Sequence, residues 1–427
     1  MKNKRLYIIL ACVLVFGVLF GCTANSNRLP QNETNSRTET SEPGVTYTIS
    51  TFHTYPSPKE NIVSIMPGET RFPDSSGAGM YSVKPLSNIV SYSSFDNGTS
   101  IVYCPQTGCK HTDDSCYAYY EDILSFAEYH GKWYIVKQIE DTGLQLIEAD
   151  PASQVKREVC TWPPEDNKMY ILSHSIYGSN FANLAVSVVN LDTNSQANYI
   201  YRIELSTGEW HSISSTHESE ILYPIGSTED SVIVVSHAIT AIPNDEDTFF
   251  TENPSATYEE YINYYRNFIE SNSVTQLRSY NSDGTSYTVI ADSNNGYIFS
   301  GKLKLAYEYA VIYQCNNTLY LYNLDNHESI LLWEADSNII NYWYMDNHAY
   351  CIVDESGYYK FFVIDVGTGS VMEQKHAFNN QVLRFSPKSE TDELFLGIYT
   401  QEDGTFIDAY IAKEAFYMEN FSLAIPY

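Results

Sequence analysis

The sequence predicts an all-β protein: a β-propeller of four-stranded antiparallel blades, with seven blades favoured over six and one helical insertion. Three observations predict it. Units of four alternating strands, separated by Gly, Asn and Asp turns, recur about every 42 to 46 residues, the length of a propeller blade. Long helical periodicity is scarce, whereas 37 Tyr outnumber 19 Phe and 5 Trp together, a composition suited to half-buried strand faces. The 427 residues are 43% hydrophobic, ample for a large core.

The clearest blade begins at 123 with ILSFAEY, turns at His130-Gly131, and continues through KWYIVKQ, LQLIEAD and VKREVC, ending at Cys160. A second copy runs IINYWYM, HAYCIV, YYKFFVID and SVMEQK, with its first turn at Asp346-Asn347. Using the turn before the last strand as a ruler gives Gly108, Gln154, Gly208, Gly284, Asn326, Gly369 and a seventh mark near Glu414. The one interval much longer than the rest contains an insertion from about 240 to 273. Within it, Thr257 and Glu260 form a capping box ahead of a helical stripe of Tyr258, Tyr261, Ile262, Tyr265, Phe268 and Ile269. The final blade lacks a fourth strand, and VTYTIST at 45–51 alternates well enough to supply it and close the ring.

The N-terminus sets the expected compartment. Lys2, Lys4 and Arg5 precede an apolar run from Leu6 to Phe20, shorter than the roughly 20 residues of a membrane span and ordered like a secretory signal. It ends Leu19-Phe20-Gly21-Cys22, which resembles a bacterial lipobox and implies acylation, palmitate included, of Cys22. More than one acyl chain gives stable anchoring, so the expected location is the extracytoplasmic face of the cell membrane. Residues 22–44 are polar and aperiodic and read as a flexible tether, leaving 45–427 as the propeller. Removing Cys12 with the signal and Cys22 with the lipid leaves Cys104, Cys109, Cys116, Cys160, Cys315 and Cys351, an even set compatible with disulfides outside the cell.

A net charge of −29 disfavours nucleic acid and anionic lipid as direct partners. In a four-strand meander the second turns share one face of the disc. That rule gathers Asp96; Glu140 and Asp141; Asp192; Asp245, Glu246, Asp247 and Glu252 of the insertion; Asp354 and Glu355; and Glu402 and Asp403. Such a face would attract a cationic ligand or Ca²⁺, although hairpin loops of an acidic protein are acidic in any case and no spacing reproduces a calcium loop. Tyr261 and Tyr265, on the helical stripe, either pack on the disc or form a ledge for a ligand beside it.

The densest chemistry is CPQTGCKHTDDSC, residues 104 to 116. With SIVYC taken as the third strand of the first blade, PQTG becomes its turn, and the motif falls on the rim or on the face opposite the acidic loops. Cys104, Cys109, His111 and Cys116 offer four zinc ligands, but not in the paired CxxC spacing of zinc knuckles. The export signal favours a disulfide between Cys109 and Cys116. Cys104 to Cys109 is the competing pairing, Cys160 a further partner, and zinc or free thiols the other readings.

The element formed by Cys104, Cys109, His111, Asp113, Asp114, Cys116, Ala118 and Tyr119 resembles that of propeller lipoproteins of anaerobic Gram-positive bacteria, a group similar to TolB-like propellers. The resemblance implies the fold and the leader and carries no catalytic residues. No G-x-S-x-G, H-E-x-x-H, phosphate loop or dinucleotide fingerprint occurs. The reading that results is a membrane-tethered binding propeller for a cationic ligand, a glycan or a surface protein. The alternatives are a hydrolase or lyase acting on extracellular carbohydrate or peptide, and a structural envelope protein.

Overall fold

The computed structural model describes residues 63–65, 71–74, 78–84, 88–95, 99–178, 180–217, 219–241, 243–292, 297–298, 306–307, 310–324, 326–374, 377–378, 382–391 and 393–426. The expected signal, Cys22, the tether, strand 45–51 and Asp96 lie outside them. Seven antiparallel sheets form a propeller. Sheet 1 comprises Arg71–Pro73, Gly79–Lys84, Ile89–Ser94 and Ser100–Val102. Sheet 2 comprises Ile123–Tyr129, Lys132–Ile139, Gly143–Asp150 and Val155–Trp162. Sheet 3 follows with Lys168–Tyr177, Phe181–Asn190, Gln196–Glu204 and Trp210–His217. Sheet 4 is Glu220–Ser227, Ser231–Ile239, Ser273–Asn281 and Tyr287–Asp292. In sheet 5 the first position is shared by Tyr297–Ile298 and Ala306–Tyr307, followed by Ala310–Cys315, Thr318–Asn323 and Ser329–Glu334. Sheet 6 is Asn338–Met345, His348–Glu355, Tyr358–Asp365 and Val371–Gln374. Sheet 7 is Phe385–Glu390, Leu394–Thr400, Phe406–Ala412 and Ile425–Pro426.

The turns explain why these segments become hairpins. His130-Gly131 and Asp346-Asn347 hold left-handed φ at both positions, the two-residue geometry whose twist matches antiparallel strands, and Glu140-Asp141 hold it within a three-residue connection. First strands approach one another around the centre, and fourth strands form the rim. The rim strands of sheets 2 and 3 meet the third connection of the next blade. A Cβ added at Gly208 would lie 2.0 Å from Val159 O, and one at Gly284 2.9 Å from Ile213 Cα, so a left-handed glycine is required at both marks of the ruler. Tryptophans fill the joints. Trp133 is fully buried among Tyr81, Tyr103, Tyr117 and Phe126, with ring centroids 5.1 to 5.5 Å away.

Two features depart from expectation at the ends of the ring. Ser100–Val102 is the fourth strand of sheet 1, not the third, because its pairing with Ser91–Ser93 follows a third connection at 95–99, where Asp96 falls in the chain. In sheet 7 the fourth place, expected for 45–51, is filled by Ile425–Pro426 on Ala409 and Tyr410. Glu414 belongs to a helix, Lys413–Tyr417, within that third connection rather than to a turn. The ring closes where Tyr410 OH donates to Phe95 O at 3.1 Å. One further strand, Val63–Ile65, pairs with Ser175–Tyr177 on the axial edge of sheet 3. Among the described residues no helix is long and apolar enough to cross a membrane.

Candidate functional site

The cysteine motif forms the crossover from sheet 1 to sheet 2, on the rim. After Ser100–Val102, Cys104 N–H bonds to Val102 O and Cys109 N–H to Gln106 O, and Gly108 and His111 take left-handed φ, so the chain coils back on itself. Asp113 Oδ1 accepts from Ser115 N–H at 3.0 Å and Cys116 N–H donates to Asp113 O, closing a second turn. The exit then returns to sheet 1: Tyr119 bridges Ile89, and Val90 N–H donates to Ala118 O. Tyr117 fixes the loop by packing its ring on Trp133, 5.3 Å between centroids. The rim position agrees with the sequence reading; the assignment to a third turn does not.

This coiling brings together what the sequence held apart. One ligand atom from each of Cys104, Cys109, His111 and Cys116 lies within 4.8 Å of all the others. His111 Nδ1 is 3.2 Å from Cys116 Sγ. Cys104, Cys109 and Cys116 are all thiols, including the pair Cys109 and Cys116 expected to bridge. Cys160 is buried in the core of sheet 2, outside the group.

Burial pushes the Cys116 thiol up. Burial also acts on Cys104, but hydrogen bonds from Gln106 N–H, the neighbouring thiols and Tyr117 N–H outweigh it and hold this thiol below the usual value. A residue the sequence reading missed completes the surroundings. Lys156 Nζ donates to Cys116 O and Tyr119 O, both at 2.9 Å, and sits 4.0 Å from the centroid of the Tyr120 ring. Its signal was available: alternation along Val155–Trp162 places Lys156 and Arg157 on opposite faces, and Arg157 bonds Leu205 O of the next blade.

The acidic residues lie on second connections as expected in sheets 2, 3, 4, 6 and 7, yet they do not assemble. Among the described residues only the cysteine–histidine group brings three or more such ligands together. Ca²⁺ needs six to eight converging oxygens, and the acids are engaged one by one in their own turns instead. Asp354 Oδ1 accepts from Gly357 N–H, Asp403 Oδ1 from Thr405 N–H, and Glu355 pairs with Lys360 at 3.0 Å. Glu140, Asp141, Asp192 and Glu402 are exposed at hairpin tips.

The insertion contains two helices, where the pattern of residues predicts one. Helix α1 spans Glu246–Glu252 and α2 spans Tyr258–Ser271. Asp245 is the N-cap of α1, and hydrogen bonds from the Thr248 side chain and backbone hold its carboxyl below the usual range. Asp247 lies in the first turn, where negative charge favours the helix. The capping box of Thr257 and Glu260 forms as expected. Phe249 of α1 is buried against Tyr261 and Tyr264 of α2, at 5.3 and 4.9 Å between centroids. The stripe is therefore closed at Ile269, half-buried at Tyr261 and Tyr265, and open at Tyr258, which is 56% exposed.

Among the described residues no cluster of metal-ligating side chains lies at the centre. Strand Val63–Ile65 occupies the axial edge of sheet 3 and approaches sheet 2, and Ser125 and Ser175 there bond to each other at 3.1 Å. An open cavity of about 340 Å³ lies on the rim beside the cysteine loop, and Asp114 is the one carboxylate lining it.

No protein-family model matches the chain, and no curated protein matches it. Solved structures similar in fold include an oligogalacturonate lyase in complex with manganese, at 11% identity and TM-score 0.48 over 86% of this chain and 95% of that one. A second oligogalacturonate lyase, from Vibrio parahaemolyticus, gives 9% and 0.44 over 83% and 96%. The β-propeller domain of the Trilobed protease from Pyrococcus furiosus gives 11% and 0.41 over 80% and 95%.

Proposed function

We propose that this chain is a lipid-anchored, extracytoplasmic binding propeller that engages a cationic ligand, a glycan or a surface protein through the face bearing its second connections. The observation that carries the reading is the helical insertion. It hangs from a closed neck, where Ile239 pairs with Ser273 and Thr240 N–H donates to Asn272 O at 2.7 Å, and it presents the open Tyr258 end of α2, with Glu259 and Glu260 in the same first turn. Tyrosines whose rings are accessible beside uncompensated carboxylates suit sugar rings and basic side chains alike. The charged-then-apolar leader ending at Cys22 supports membrane attachment, and the polar segment after it supports a tether.

Replacing residues 240–272 with Asn-Gly should preserve the fold, because the neck is already a hairpin register. It should abolish binding to whichever member of a panel of basic peptides and neutral or acidic oligosaccharides the intact chain captures. Binding that survives the replacement overturns the assignment. Cys22→Ser should move the chain from the membrane to the soluble fraction and remove palmitate labelling.

A further inference from the structure

We propose that Cys104, Cys109, His111 and Cys116 bind one structural zinc ion that clasps blade 1 to blade 2. The donor set is the first argument. A tetrahedral zinc holds thiolates at about 2.3 Å and imidazole nitrogen at about 2.0 Å, so its four donors stand roughly 3.3 to 3.8 Å apart. Four donors already within 4.8 Å of one another reach that geometry by small side-chain rotations. A disulfide uses two sulfurs and gives no reason for a third thiol and an imidazole to converge on them.

The surroundings are the second argument. His111 Nδ1 already stands 3.2 Å from Cys116 Sγ, and the backbone N–H groups of Cys104, Cys109 and Cys116 donate to Val102 O, Gln106 O and Asp113 O, so the chain around the donors is held in place. Zn²⁺ with three thiolates and a neutral imidazole carries one negative charge. Lys156, whose ammonium is held by two carbonyls of the same loop and has no carboxylate ion pair among the described residues, supplies the positive one. Lys156 is half-buried there, and Asp114 lines the same open cavity.

The fold supplies the purpose. The rim strand of sheet 1 has three residues, whereas Val155–Trp162 and Trp210–His217 have eight each. Elsewhere that strand provides the contact with the next blade; here the loop takes its place against Lys156. Four protein ligands leave no open position for substrate, which makes the site structural rather than catalytic. The inference is independent of the ligand face proposed above.

The test uses the full chain purified in detergent without chelator. One zinc per chain is expected by elemental mass spectrometry, and cobalt exchanged for it should show the intense visible bands of a tetrahedral thiolate site. Cys109→Ser should weaken zinc binding by about 100-fold or more and Lys156→Met by about 10-fold. Cobalt spectra of the unmutated chain decide the matter even where a variant fails to fold: a pale octahedral spectrum overturns the proposal. So does a metal-free chain lighter by two hydrogens, in which two of the three cysteines resist alkylation until reduced. Zinc bound equally tightly by Cys109→Ser would also overturn it.

Discussion

Blades 1 and 7, the two ends of the ring, share a defect and repair it by different chemistry. Their rim strands have three and two residues, Ser100–Val102 and Ile425–Pro426, too few to bury an apolar face against a neighbour. At the first end a coiled loop presents sulfur, imidazole and Lys156 at the joint with blade 2. At the last end helix α3, Lys413–Tyr417, reaches back to blade 6. There Lys413 Nζ pairs with Asp346 Oδ1 at 2.8 Å and Glu390 Oε2 at 3.0 Å, and Tyr417 OH donates to Asp346 Oδ2 at 2.6 Å. The comparison teaches that where the rim strand is short the connecting segment secures the end: the helix buries Phe416 among Tyr350, Phe385 and Phe395 beside its polar pairs, as the loop docks Tyr117 on Trp133 beside Lys156.

The two clasps should fail under different conditions. The largest effect expected within the protein is at the last end: Lys413→Met leaves Asp346 and Glu390 desolvated without a cation and should cost about 4 kcal/mol in urea unfolding. Although burial pushes the Lys413 ammonium down, Glu390 and Asp346 hold it above the usual lysine value. Its contribution is therefore complete below the unfolded pKa and lost as pH rises through the folded one. An alkaline loss of stability present in the parent and missing in Lys413→Met would show this. Chelators should act on the first end alone, leaving the Lys413 effect unchanged, since the two sites share no partner.

A residue belonging to neither clasp sets the common background. Burial depresses His174 in sheet 3 to about 4. The neutral form is the one the fold accepts, so stability is present above the unfolded value near 6.5 and falls as pH drops toward 4, by on the order of 3 kcal/mol. His174→Asn should flatten that acid slope in thermal melts at both ends alike. Smaller again, Gly208→Ala forces a Cβ into Val159 O at a left-handed φ and should cost about 2 kcal/mol, reporting an ordinary joint between blades 2 and 3. Tyr258→Ala should change stability by less than about 0.5 kcal/mol, because the ring is open to solvent.

The sequence by itself determined the propeller fold, with seven blades favoured over six, the strands of sheets 2 and 6 nearly to the residue, the capping box of α2 and the glycine marks at 208 and 284. These are local: period-two alternation, I′ turn residues and caps act between neighbours in the chain. Only the tertiary structure decided the ends of the ring. Ser100–Val102 alternates as well in third place as in fourth, and Ile425–Pro426 is too short to carry a pattern, so pairing alone settles both. It also decided that acids on five blades stay apart: Asp245, Asp354, Glu355 and Asp403 are held by backbone N–H groups or a lysine of their own connection, and Glu140, Asp141, Asp192 and Glu402 point from separate hairpin tips into solvent. The convergence of Cys104, Cys109, His111 and Cys116, and the approach of Lys156, depend on left-handed turns at Gly108 and His111 and on Tyr117 docking against Trp133. Spacing along the chain does not fix distance in space; packing against the next blade does.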